Sequence, residues 1–286
     1  MKSRESVFGR VMIWALAMAA TVAAWGGQPD SPEQLVPLLK HRDPKQRLYA
    51  ATRLATTKDP TVVQPLIEAI ADTNPQVREQ AARSLGQVGD AQALRPLVAT
   101  LKHKSIPMRA AAADGLGALA NPAAVQPLIG VLGGAESVQR SAVAALVKIG
   151  TPAIAPLIAA LKATDQAVRP QAAEALGMIG DARALKPLLN ALDRADRRTR
   201  CAVAHALGVL GDKSAVAPLI AALGKRPRGA RPYMPIRFDV RVPAAEALGA
   251  LGDKRAVAPL TRAAKDRNRK LASAAAKALK LLEAKP

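Results

Sequence analysis

The sequence is poor in aromatic residues, cysteine and histidine. Of its 286 residues only two are Trp, two Tyr and two Phe, and there is one Cys and three His. A single cysteine excludes an internal disulfide framework and any cysteine-based zinc module. β-Branched runs are scarce, which argues against an all-β fold. Half of the residues are nevertheless apolar, mostly Ala and Leu, which excludes a disordered chain. The sequence also has few acids for its bases: 42 Lys and Arg stand against 22 Asp and Glu, a formal net charge of +20.

The first residues read as an address. Lys2, Arg4 and Arg10 precede the apolar stretch from Val11 to Trp25, and Ala23, Ala24, Gly26 and Gly27 surround its end. This is the layout of a secretory signal peptide over 1–26, and the stretch is short for a membrane span. The expectation is a periplasmic or secreted body, or one held at the inner membrane by an uncleaved anchor.

The remaining chain, 27–286, is one pattern written eight times. Pro37, Pro65, Pro96, Pro127, Pro156, Pro187, Pro218 and Pro259 keep one phase. Arg47, Arg78, Arg109, Arg140, Arg169, Arg200, Arg241 and Lys270 keep a second. Such a period marks a solenoid. Apolar residues after each marker follow helical spacing, so each repeat reads as two antiparallel helices, A and B. Asp90, Asp181, Asp212 and Asp253 are placed to cap helix A, and its proline is expected to kink it. Gly86, Gly117, Gly177, Gly208 and Gly249 fall inside helix B, where only close approach of a neighbour justifies their cost. The expected fold is all-α, a right-handed solenoid of about eight two-helix repeats.

The run Pro-Leu-Ile, then Val-Arg, then Ala172-Ala173-Glu174-Ala175-Leu176-Gly177 to Asp181 resembles the HEAT repeat in its short bacterial form, also found in phycobilin lyases. The resemblance covers residues 31–286 and implies a binding scaffold. Relatives such as deoxyhypusine hydroxylase bind iron through His-Glu pairs, but here His41, His103 and His205 are scattered and none precedes a Glu. No nucleotide or hydrolase fingerprint is present. The expectation is therefore a chain that is not an enzyme, with no catalytic, cofactor or metal residues.

Two features point to partners. Nearly all the net charge falls on the turns between helices A and B, which forms one basic edge suited to anionic lipid, glycan or nucleic acid. Asp43, Asp72, Asp165 and Asp266 are placed to meet the marker cations in exposed pairs. The seventh repeat is ten residues longer than the 31-residue norm, and the excess lies in its A–B turn, 225–241. Lys225, Arg226, Arg228, Arg231, Tyr233, Met234, Arg237 and Phe238 there combine the residue types of interface hot spots. They are the expected partner-binding residues of a monomer that docks another protein through this loop and its concave face. On that face Glu174 and His205 are one repeat apart but read first as a solvated inner surface rather than an acid–base pair, and Cys201, although it follows the cation Arg200, reads first as a small packing residue.

Overall fold

The computed structural model describes residues 31–225 and 239–284. Sixteen α-helices alternate along them, and no strand occurs among the described residues. Odd-numbered helices are the A helices: α1 (Pro32–Leu38), α3 (Val63–Ala69), α5 (Leu94–Thr100), α7 (Val125–Ile129), α9 (Ile154–Ala160), α11 (Leu185–Arg194), α13 (Val216–Gly224) and α15 (Val257–Ala263). Even-numbered helices are the B helices: α2 (Pro44–Leu54), α4 (Pro75–Val88), α6 (Ile106–Leu119), α8 (Glu136–Ile149), α10 (Val168–Ile179), α12 (Arg197–Leu210), α14 (Arg241–Leu251) and α16 (Arg269–Glu283). The fold is an α-solenoid of eight helix pairs. No single helix among the described residues is long and apolar enough to cross a membrane.

Each A helix after the first begins with a 3₁₀ turn. The side chains of Asp90, Asp181, Asp212 and Asp253 each accept a backbone N–H two residues on, as cap residues should. The recurring proline of helix A costs its α segment no hydrogen bond. From α3 onward the recurring proline is the third residue of the α segment, just past the 3₁₀ turn. A first-turn N–H has no partner within the α segment, so proline breaks no bond there.

The helix-B glycines behave as the spacing predicts. A Cβ on Gly117 would lie 2.8 Å from the Ala145 Cβ, and Gly177, Gly208 and Gly249 meet Ala206, Ala247 and Ala278 in the same way. Neighbouring B helices therefore touch backbone to backbone, while successive A helices barely meet. The tighter row lies on the inside of a curve, so the B helices line the concave face. Between the rows, a leucine from each of these B helices joins a continuous core, with Leu85, Leu116, Leu146, Leu176, Leu207 and Leu248 fully buried.

Two junctions depart from this rule, and at the first of them, between α2 and α4, Ala55 stands in the glycine place. Between α8 and α10, Val147 stands in the glycine place and is partly buried against the core. The named contacts there lie at the turn end: Gln171 Nε2 donates to Gln139 Oε1 at 2.8 Å, and a Cβ on Gly133 would clash with the Asp165 carboxylate. Val147 thus puts a branched side chain where the glycine-bearing junctions have none.

Candidate functional site on the concave face

The recurring basic residue is structural. Arg47, Arg78 and Arg109 each donate from Nη1 to the backbone carbonyls five and six residues back, at 2.7–3.2 Å. Those carbonyls belong to the A–B turn just after helix A, and the guanidinium ties the turn to helix B. Some of these arginines also reach the next repeat. Arg47 forks onto Asp72 at 2.7 and 2.9 Å, Arg169 meets Asp196 at 3.5 Å, and Arg241 meets Asp266 at 2.9 Å. The expectation of exposed pairs needs correcting at Arg47 and Asp72, whose side chains are 12% and 9% exposed, and at Arg241, whose side chain is 8% exposed while that of its other partner, Asp239, is 2% exposed. Burial pulls the Asp239 carboxyl up, but the Arg241 side chain and backbone N–H outweigh it and hold the group below the ordinary carboxylate range.

Two of the eight expected markers are misassigned. Arg140 is exposed and makes no such bonds; Gln139 takes the place and donates to the Gly134 carbonyl at 2.8 Å. Lys270 likewise makes none, and the glycine contact from Gly249 to Ala278 sets the register so that Ala272 holds the place. A basic side chain one or two residues off phase is indistinguishable in sequence from one in phase.

With the register corrected, two rows line the concave face. Five residues after the marker stand Thr52, Arg83, Asp114, Ala144, Glu174, His205, Glu246 and Lys277. Nine residues after it stand Thr56, Gln87, Ala118, Lys148, Met178, Val209, Ala250 and Leu281. In the first half Arg83 Nε and Asp114 Oδ2 pair at 3.2 Å across repeats. In the second half Glu174, His205 and Glu246 are all exposed and no ion pair or hydrogen bond joins Glu174 to His205, so they are not an acid–base pair. Beside them Met178 and Val209 are each 50% exposed and Leu281 is 51% exposed. The second row escaped the sequence reading, which followed only the first.

Cys201 is the packing residue expected, not a thiol activated by Arg200. Burial first, then the Asp239 charge, push it up to about 11, so it stays a protonated packing residue. Among the described residues no three His, Cys, Asp or Glu side chains converge as a metal site. Of the expected loop residues, Lys225 is exposed and its Nζ pairs with Asp193 Oδ1 at 2.8 Å. Arg226, Arg228, Arg231, Tyr233, Met234, Arg237 and Phe238 lie outside the described residues, as does the expected signal peptide.

The stacked helix pairs define a repeat scaffold, and sequence comparison names its class. The chain belongs to the HEAT repeat family: the family model for HEAT repeats matches residues 32–108, 94–162 and 154–231. The model of the PBS lyase HEAT-like repeat matches residues 240–266. No curated protein matches by sequence. Among solved structures, yeast importin-beta (Kap95p) is 15% identical with a TM-score of 0.60, over 87% of this chain and 40% of that one. Human deoxyhypusine hydroxylase is 24% identical with a TM-score of 0.39, over 88% of this chain and 95% of that one. The CpcE–CpcF phycocyanin lyase from Nostoc sp. PCC7120 is 23% identical with a TM-score of 0.39, over 90% and 95%. These likenesses show the fold alone. The expectation that the chain is not an enzyme does not stand, because the PBS lyase HEAT-like repeat is found in it.

Proposed function

We propose that this chain is an exported HEAT-repeat scaffold that binds another protein through the concave face of repeats five to eight, with the 225–241 turn as a second contact. The observation that carries the reading is the exposed apolar row of Met178, Val209 and Leu281 on one inner face. Large apolar side chains aligned in a concavity mark binding surfaces, whereas singly scattered ones do not. The leader-like segment 1–26 supports a place outside the cytoplasm.

The test is capture from an envelope extract by the full chain, compared with Val209→Lys and with a 226–238 deletion. A protein retained at high salt and lost with Val209→Lys supports the concave face; capture indifferent to both changes overturns the reading. A second reading, binding of anionic polymers or lipid headgroups, draws on exposed turn cations such as Arg42, Lys45, Lys102, Lys104, Lys265 and Arg267. It requires affinity that falls steeply with salt, because neutralised phosphates release counterions. A flat salt dependence would remove it.

A further inference from the structure

We infer that the groove of repeats five to eight takes a helical segment of its partner, about 20 residues long, apolar at every seventh residue and basic beside those positions. The inference rests on the concave-face reading and adds the occupant's shape and charge.

Spacing selects a helix. Met178, Val209, Ala250 and Leu281 come one per repeat, on packed helices whose axes lie about 8–10 Å apart. An extended chain covers that step in about three residues, but its side chains alternate, so successive anchors would face opposite ways. A helix covers about 10 Å in seven residues, nearly two turns, and returns its anchor to the same face. Three steps across four repeats require about 20 residues.

Charge selects the flank. Glu174 and Glu246 are exposed beside the apolar row, and neither has an ion-pair partner among the described residues. The cationic turn edge lies at the start of each B helix. The two rows stand five and nine residues along it, about 8 and 14 Å away. The apolar row lies beyond the Debye length of about 8 Å at physiological salt and the carboxylates stand about one Debye length away, so the field of the basic edge is weakened in the groove. A basic segment is attracted to these carboxylates, whereas an acidic one would be drawn out to the edge.

Polarity selects the direction. Lys277 and Lys280 are exposed at the repeat-eight end of the groove. A helix carries partial negative charge at its C-terminus and partial positive charge at its N-terminus. The bound segment therefore starts over Glu174 and ends over Lys277.

The probe is a synthetic 22-residue peptide with leucine at every seventh position and lysine beside each leucine. One control permutes the leucines and another replaces lysine by glutamate. Binding to the full chain is read by fluorescence anisotropy and the helicity of the bound peptide by circular dichroism. The expected result is helix formation on binding and an affinity that drops about tenfold or more with Val209→Lys. The double variant Glu174→Lys, Glu246→Lys should lose the lysine peptide and gain the glutamate one. Equal binding of the permuted peptide, or indifference to Val209→Lys, overturns the proposal. If Val209→Lys abolishes capture of a native partner protein while the lysine peptide never binds, the helical occupant is wrong and the concave-face reading stands. If native capture is also indifferent to Val209→Lys, both fall.

Discussion

In repeats one to four the inner row holds Thr56, Gln87, Ala118 and Lys148; in repeats five to eight the same places hold Met178, Val209, Ala250 and Leu281. The cores behind these rows are built alike, with one buried leucine per B helix at Leu116 and Leu176. The paired row changes too: Arg83 is matched to Asp114 in the first half, whereas Glu174 and Glu246 stand open in the second. The changeover falls at the junction where Val147 replaces a glycine. Residues facing the core are thus held to one solution by packing, while those facing the groove are free to diverge, and their divergence locates function.

The comparison can be tested from its strongest element to its weakest. Leu116→Ala and Leu176→Ala should each cost about 2–5 kcal/mol, because both side chains are fully buried. Urea unfolding of the two variants should agree closely; a clear difference would mean that the halves do not share one core. Gly177→Val copies Val147 into a tight junction, where even a Cβ would lie 2.8 Å from the Ala206 Cβ. It should cost about 1–3 kcal/mol by overpacking, and an unchanged melting temperature would show that the close approach is not needed.

Acid should weaken the turns next. The carboxyls of Asp72, Asp196 and Asp239 are all lowered despite partial burial, and hydrogen bonds from Arg183 and Arg255 hold Asp181 and Asp253 at about 2. A carboxyl lowered in the folded state contributes stability that is complete above its unfolded value, about 3.9. That contribution is lost as pH falls through the folded value. Melting temperatures should therefore hold from pH 7 to about 5 and drop below 4, with a shallower drop in Asp239→Asn. The smallest effect is at Ala120, the helix-end residue of repeat three, which sits at φ 52° where Gly89 and Gly211 serve in repeats two and six. Ala120→Gly should stabilise by about 0.5–1 kcal/mol in a denaturant titration.

The solenoid, its eight units and the purpose of the helix-B glycines were legible in the sequence, because each depends on a period that packing enforces. The register of repeats four and eight was not. Arg140 and Lys270 imitate the marker, and only the bond from Gln139 and the contact at Ala278 reveal the true phase. The place of the helix-A proline, third in its α segment, was not legible because the preceding 3₁₀ turn leaves no apolar periodicity of its own. The groove was half legible: its acidic row was read, but its apolar row was hidden among core-like residues until exposure separated Met178 and Val209 from their buried neighbours.

Val147 has a mechanical consequence. In a stacked array each unit is held by its neighbours, so cooperativity passes along the chain only as strongly as each interface allows. The interface between α8 and α10 lacks the glycine that sets the close approach in repeats two, three, five, six and seven, and it is the natural place within the array for unfolding to pause. Pulled from its ends in an optical trap, the chain should unravel in two main steps, one for each group of four repeats. Val147→Gly should merge them toward one.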